Sequence, residues 1–180
     1  VTFVFNKQLL KYGTNTDIAV LGIAFSVMMV VIMPVLGISQ GAQPIIGFNH
    51  GAKNYERVRK TLFTALIFST IISFIGFTVA MLFPDKIISV FINSEEIVKK
   101  GEYVIRIFMI MLPLVGMQII GANYFLYIGK PKQSIILTST RQILLLMPLL
   151  LVLPIFFRLN GIWIAVPISD FLSFLITTFV

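Results

Sequence analysis

DIAVLGIAFSVMMVVIMPVLGISQGAQPIIG, residues 17–47, holds a single charged side chain, Asp17, in about thirty residues. A bilayer hydrocarbon core of ~30 Å needs roughly 20 mostly apolar residues of helix to cross it. The run is continuously apolar and does not alternate, so it reads as a membrane helix rather than a strand of a β-barrel. Four more stretches of the same kind follow, at 61–83, 102–128, 133–157 and 161–180. Residues 1–12, VTFVFNKQLLKY, read as the tail of another helix. The expected fold is an all-α membrane protein, a six-helix transmembrane bundle whose first helix is incomplete. The chain opens on Val1 rather than a methionine and stops at Val180 inside an apolar run, so it is expected to be an excerpt of a longer protein.

Composition agrees with this reading. Of the 180 residues, 58% are hydrophobic and 12% charged, and mean hydropathy is +0.99. A soluble domain carries about 25% charged residues, so too little polar surface remains to face water. The net charge of +7 does not make a nucleic-acid binder, because the basic residues sit in short gaps between apolar runs. With no cysteine, a disulfide framework and a thiolate metal site are both excluded. The lone histidine, His50, cannot build a zinc site and reads as an ordinary polar loop residue. No Walker phosphate loop, histidine pair or nucleophile beside a histidine is present, so no enzyme and no cofactor is expected.

The gaps carry helix-stop chemistry: Pro84 closes one span, Gly129 and Pro131 another, and Arg158-Leu159-Asn160-Gly161 reads as a tight reversal. Alternation places the 48–60 and 129–132 gaps on one side and the 84–101 and 158–160 gaps on the other. The first pair concentrates Lys53, Arg57, Arg59, Lys60, Lys130 and Lys132 in few residues, which assigns it to the cytoplasm. The second pair holds Lys86, Lys99, Lys100 and Arg158, and the N-terminal tail adds Lys7 and Lys11. Within 84–101, Ile87, Ile88, Val90, Phe91 and Ile92 precede Glu95, Glu96, Lys99 and Lys100. That pattern suits either a short interfacial helix or a structured outer loop.

Several motifs resemble one family. Residues 37–54, GISQGAQPIIGFNHGAKN, followed by the basic Arg57-Val58-Arg59-Lys60, form a helix-end signature of Gln-Pro, then Gly, then Asn-x-Gly-Ala before a basic loop. Residues 87–101, IISVFINSEEIVKKG, and residues 129–134, GKPKQS, with Arg141-Gln142 and Pro148 beyond, complete the pattern across nearly the whole chain. In order and spacing these resemble the multidrug and toxic-compound extrusion (MATE) transporters. The resemblance implies twelve helices in two six-helix lobes, of which residues 1–180 are the C-terminal lobe, from the end of helix seven to helix twelve. It also implies outward transport of bulky, often cationic compounds, driven by a proton or sodium gradient, in a multi-pass bacterial plasma-membrane protein. Sodium-coupled members carry acidic residues in helices seven and ten. Here the tenth span has no acid beyond Glu102 at its mouth, which speaks against a sodium site in this half.

Asp170 is the most informative single position. It lies nine residues into the last span, ~14 Å below the outer end at ~1.5 Å per residue. A carboxylate near the midplane costs on the order of 3 kcal/mol by insertion scales, so it needs a partner or a purpose. Helical spacing puts Asp170, Ser173 and Thr177 on one stripe facing the bundle interior. Arg141, eight residues into the preceding helix, lies ~12 Å from the opposite end, against ~16 Å for Asp170. The two are therefore expected to meet across antiparallel neighbours. An aspartate beside a fixed positive charge stays ionised, which weighs against proton carriage and for a structural pair. The other reading of Asp170 is a coupling or cation-binding site.

In the first complete span, Pro34 and Pro44 each remove a helical hydrogen bond and Gly37 and Gly41 lie between them, so this helix is a candidate for bending during alternating access. Ser39, Gln40 and Gln43 bring polar groups to its cytoplasmic half, either lining a substrate vestibule or bonding to neighbouring helices. Gln118 and Asn123, flanked by Met117 and Tyr124, are further cavity candidates for an amphiphilic cation, though Met28, Met29, Met33, Met109 and Met111 suit plain packing or lipid contact. Glu102 and Arg106 are spaced for a snorkelling salt bridge.

The leading expectation is a secondary-active antiporter for bulky cationic compounds, coupled to protons rather than sodium. Its partners would be that small-molecule substrate, the coupling ion, membrane lipids and the N-terminal lobe of the same protein, with no nucleic acid. Two alternatives stand beside it. One is a flippase of lipid-linked oligosaccharides or polysaccharides of the same superfamily, whose anionic cargo Arg141 and Arg106 would suit. The other is a non-transporting membrane scaffold.

Overall fold

The computed structural model describes residues 1–92 and 94–179; Asn93, inside the 87–101 motif, and Val180, at the end of the fifth expected span, lie outside the described residues. The described residues form helices and no strands: α1 (Thr2–Tyr12), α2 (Asn15–Gly51), α3 (Tyr55–Leu82), α4 (Pro84–Ser89), α5 (Glu95–Met109), α6 (Leu112–Tyr127), α7 (Pro131–Ser139), a π-helical stretch (Thr140–Leu146) and α8 (Met147–Phe179). α2, α3 and the continuous run Pro131–Phe179 are each long and apolar enough to cross a membrane. The last of these cannot cross as one rod. At ~1.5 Å per residue its length would exceed twice the ~30 Å hydrocarbon core, and the chain reverses at Arg158, whose φ of 50° and ψ of −129° leave the helical region.

Helix ends follow local chemistry. Thr14 caps α2 in a reciprocal box: its backbone N–H donates to Asp17 Oδ2 at 2.8 Å and its hydroxyl to the same oxygen at 2.7 Å. This consumes the one charge of the quoted stretch at the helix entrance, where an acidic group also complements the helix dipole. Asn54 caps α3 by accepting from the Arg57 N–H at 3.2 Å. α6 ends at Gly129, with φ of 77°; the Lys130 N–H returns to the Phe125 carbonyl at 2.8 Å and the Gly129 N–H to that of Leu126 at 3.2 Å. Those two bonds satisfy carbonyls that the helix leaves orphaned, and the left-handed turn suits a residue without Cβ.

Observed and expected spans differ in three places. α2 runs on to Gly51 and α3 begins at Tyr55, so the expected 48–60 gap shrinks to residues 52–54 and His50 lies in the last turn of α2 rather than in a loop. The stretch 102–128 is not one rod: helix begins earlier, at Glu95, and breaks at Ile110–Met111 with a bend of 44°. Pro113 stands at the start of α6, where its missing N–H costs nothing, while it deprives the preceding turn of a donor. The stretch 133–157 carries the π-helical turn at 140–146, just before Pro148. Proline cannot donate to the carbonyl four residues back, and a wider turn is one way a helix absorbs that. By contrast α2 runs unbroken through Pro34 and Pro44. The 84–101 gap contains α4, whose buried Ile88 sits against Gly101 of α5.

α2 is the central helix, lying against α3, α5 and α6, while α1 packs on α8 and α2. At one end of the bundle an aromatic chain crosses four helices. Phe5 meets Phe25 edge-on at 5.5 Å, Phe25 meets Phe108 at 5.9 Å, and Phe108 meets Trp163 at 5.9 Å. Edge-to-face pairs of this kind add about 0.5–1.5 kcal/mol each beyond their burial. At the other end a smaller cluster joins α2, α3 and α6 through Ala42, Ile46, Val58, Ala65, Ile120 and Tyr127. The loops sort accordingly. Lys100 Nζ donates to Thr16 Oγ1 at 2.9 Å and a Cβ on Gly13 would lie 3.0 Å from Leu159, whereas Gly47 approaches the Tyr127 carbonyl at the opposite end.

Two glycines are required by close approach. A Cβ on Gly116 would lie 2.9 Å from the Ser69 carbonyl oxygen of α3, and one on Gly161 would lie 2.5 Å from the Leu153 carbonyl across the reversal. Both neighbours are backbone and cannot swing away. Gly116→Ala and Gly161→Ala are each expected to destabilise the full-length protein by ~1–3 kcal/mol, read as a lower thermal midpoint in detergent. Gly37→Ala, inside α2 with no atom within 4 Å of the added carbon, should keep that midpoint or raise it slightly, since alanine is the better helix former by about 0.5–1 kcal/mol.

Candidate functional site

Most hydroxyls in these helices are satisfied by their own helix. Ser26, Thr61, Thr64, Thr70, Thr78, Thr177 and Thr178 all donate to the carbonyl four residues back, the usual solution where no water is at hand. The polar groups that instead reach another helix define a line through the bundle.

Arg141, in the π-helical stretch, donates from Nε to Asp170 Oδ1 of α8 at 2.7 Å. Asp170 is 2% exposed and Arg141 22%. Asp170 Oδ2 is buried and has no hydrogen-bond partner among the described residues. One turn along α8, Ser173 is also buried and accepts from the Gln118 amide of α6; Gln118 Oε1 and, at the end of α2, His50 Nδ1 are likewise buried without a partner among the described residues. Nearer the 48–60 end, Ser39 of α2 and the Tyr127 hydroxyl of α6 are hydrogen-bonded. Asn123 Nδ2 donates to Ser39 Oγ at 2.9 Å, and the Tyr127 hydroxyl donates to the Ser39 carbonyl at 2.8 Å.

Arg141 stands between two cavities. One, of about 190 Å³, reaches Gln118, Asn123 and Thr138. The other, of about 590 Å³, opens between α1, α2 and α8; Phe5, Phe25, Met28, Met29, Arg141 and Asp170 are among its walls. An ion pair set beside phenylalanine and methionine surfaces gives that cleft one charged wall and one soft apolar wall.

The model of the MatE family matches residues 1–152. The chain belongs to the MatE family. This MatE chain is 27% identical over 177 residues to the multidrug export protein MepA of Staphylococcus haemolyticus (strain JCSC1435), covering 96% of the chain and 38% of that protein. It is 21% identical over 164 residues to an FAD transporter of Shewanella oneidensis, covering 91% of the chain and 36% of the relative. Among solved structures, the MATE multidrug transporter DinF-BH in complex with rhodamine 6G superposes with a TM-score of 0.84 at 41% identity, over 95% of this chain and 38% of that one. The MatE chain thus spans less than half the length of these relatives.

Within the MatE chain the residues singled out by sequence divide into three groups. Asp170 and Arg141 meet, and Ser39, Asn123 and Gln118 join the cross-helix line. Gln40 and Gln43 do not: both are exposed on α2, Gln40 because it is the next residue round the helix from Ser39 and Gln43 because, one turn on, it sits at the edge of the buried stripe. Tyr124 is half-buried, stacked edge-on against Phe125 at 5.8 Å, and takes no part in the line. Pro34, Gly37, Gly41 and Pro44 are all exposed. Arg106 approaches Glu102 at 4.0 Å, far from the cleft chemistry. Sequence reading missed Tyr127 as partner of Ser39; the only signal was its position at the α6 end, which requires knowing that α2 and α6 lie side by side.

Removing one member of a buried ion pair costs about 3–5 kcal/mol, while replacing both with apolar groups is often neutral. Arg141→Ala in the full-length MatE protein is therefore expected to lower membrane abundance, and the double variant Arg141→Met/Asp170→Leu to restore it. Quantitative immunoblotting of isolated membranes checks this.

Proposed function

We propose that this chain is the six-helix half of a secondary-active exporter of bulky, often cationic compounds, with Asp170 as the acid that meets the cargo or the coupling proton. The observation that carries the reading is the state of the Asp170–Arg141 pair. A purely structural buried pair stabilises only when its remaining lone pairs are satisfied. Here a single hydrogen bond joins the two groups and Oδ2 is left without a partner at a cleft walled by Phe25, Met28 and Met29. Such a carboxylate can accept a proton, or turn toward a lipophilic cation held against the aromatic and thioether surfaces. The names of two relatives support the class of cargo, one a multidrug export protein and the other solved with rhodamine 6G.

The proton is favoured over sodium because α6 brings only an amide, Gln118, toward α8, so Asp170 has no second carboxylate from that helix to share a cation with. The setting is a multi-pass membrane protein, expected in a bacterial plasma membrane with the 48–60 and 129–132 loops in the cytoplasm. A second reading draws on Arg141. One of its N–H groups is paired and its side chain faces two cavities, which suits an anionic cargo such as a lipid-linked phosphate; the FAD transporter among the relatives points the same way. Nothing observed favours a non-transporting scaffold.

The test follows accumulation of that rhodamine dye in cells lacking their main exporters and expressing the full-length protein. Wild type should lower accumulation, a protonophore should abolish the effect, and sodium removal should not. Asp170→Asn at normal membrane abundance is expected to lose export by about a hundredfold or more, the scale of a missing acid–base group. Dependence on sodium with indifference to the protonophore would reverse the coupling assignment. No effect of wild type on accumulation would bring the anionic cargo forward.

A further inference from the structure

A groove of about 700 Å³ runs between α2 and α3 on the outside of the bundle, away from the Asp170 cleft. We propose that it is a binding site for one membrane phospholipid with an anionic headgroup, its phosphate held by Arg57 and Lys60 and an acyl chain lying along Phe68 and Ile72.

Register comes first. Arg57, Lys60, Thr64, Phe68 and Ile72 recur at three- and four-residue intervals, so they form one stripe along α3. All the polar groups are at one end of that stripe and all the apolar ones at the other. Across the groove α2 supplies Ile38, Ala42 and Ile45, giving apolar walls on both sides.

The charge is unspent. Arg57 and Lys60 are exposed and neither forms an ion pair among the described residues. Their neighbour Arg59 points elsewhere, over the Phe63 ring at 5.5 Å. The hydroxyls of Thr61 and Thr64 donate to their own helix, which leaves their oxygens as acceptors and the two cations as the donors for a ligand. A phosphate is the matching group, because guanidinium and ammonium donors both bind its oxygens strongly.

Depth then selects a lipid over a soluble anion. Lys60 and Ile72 are twelve residues apart, ~18 Å along a helix axis. One leaflet of a ~30 Å hydrocarbon core is ~15 Å thick. The groove therefore starts at headgroup level and continues, without a further charge, to about the bilayer centre. Phe68 is 55% exposed and Ile45 45% exposed, so the apolar length is left uncovered by the described residues. A free phosphate would use only the top of this surface; a phospholipid uses all of it.

The test uses the full-length protein purified in detergent and then exchanged into nanodiscs, with phosphatidylglycerol and phosphatidylcholine as probes and native mass spectrometry as readout. Phosphatidylglycerol should remain bound where phosphatidylcholine does not. Arg57→Ala/Lys60→Ala should weaken retention about thirtyfold, the equivalent of ~1 kcal/mol for each cation near an anionic surface. The charge-preserving exchange Arg57→Lys/Lys60→Arg should keep it. Thr64→Phe, which fills the groove with both cations in place, should lose it, so the site stays testable if the double alanine variant folds poorly. Equal retention of the two lipids, or full retention in both Thr64→Phe and the double alanine variant, would overturn the proposal. So would competition by glycerol phosphate at the same concentration as the lipid, which would make the ligand a free anion. A photo-crosslinker at position 68 that captures protein instead of lipid would assign the groove to a protein contact.

Discussion

A carboxylate at the middle of a membrane has few ways to exist, and the arrangement of the last third of this chain follows from the one it takes. Asp170 is buried and paired to Arg141 from the preceding helix. For the two to meet, the chain must turn back between them, and it does so within one residue at Arg158 with Gly161 pressed against the Leu153 carbonyl. Counting from that reversal, Arg141 lies seventeen residues away and Asp170 twelve. In straight α-helices this would leave the pair ~7 Å apart in depth. The π-helical stretch at 140–146 puts more residues into each turn and so shortens the longer arm. Reversal, small residue and π turn are parts of one solution to the desolvation of one charge.

The same constraint sorts the remaining polar side chains. Threonines on lipid-facing or groove-facing surfaces return their hydroxyls to their own helix, as at Thr70 and Thr78. Those that cross to another helix form the links Asn123–Ser39–Tyr127 and Gln118–Ser173. In membrane bundles such a bond is worth about 0.6 kcal/mol on average, because alternative partners are available when it breaks. These links therefore specify neighbours without locking them. The face that α2 turns away from its neighbours carries Pro34, Gly37, Gly41 and Pro44, where the backbone has lost two hydrogen bonds and offers no bulk.

Much of this was legible from the residues. Continuous apolar runs gave the helices, Gly129-Lys130-Pro131 and residues 158–161 gave the ends, and rise per residue brought Asp170 and Arg141 to similar depths. What escaped was irregularity inside a run. The break at Ile110–Met111 leaves hydropathy undisturbed, and Pro113 fits equally well inside a long span or at the start of a new helix. The π turn has no signature beyond a proline two residues past its end, a pattern that also fits a simple kink. The polar track was half visible: Ser39 and Asn123 could be named, but Gln40 and Gln43 looked equivalent to Ser39. Knowing which face of α2 meets α6 separates Gln40 from Ser39, while Gln43, one turn on, falls just outside the buried stripe; periodicity is silent there because α2 is apolar on every side.

The two ends of the bundle are held by different means, and that difference has mechanical consequences. The end near residues 84–101 is pinned by Phe5, Phe25, Phe108 and Trp163, whose rings interlock α1, α2, α5 and α8. Interlocked rings resist sliding, since any shift opens a void and forfeits dispersion contacts along its whole face. The opposite end is a smaller cluster in which Ala42 and Ala65 sit among Ile46, Val58 and Ile120, with the Tyr127 hydroxyl bonded to Ser39. Small side chains present smooth surfaces, and a hydroxyl can exchange one acceptor for another over a short distance. The two ends therefore differ in what a displacement disturbs, interlocked rings at the first and exchangeable hydrogen bonds at the second. The Asp170–Arg141 pair lines the cleft beside Phe5 and Phe25, so the ion pair sits against the interlocked aromatic end rather than against the hydroxyl-linked one.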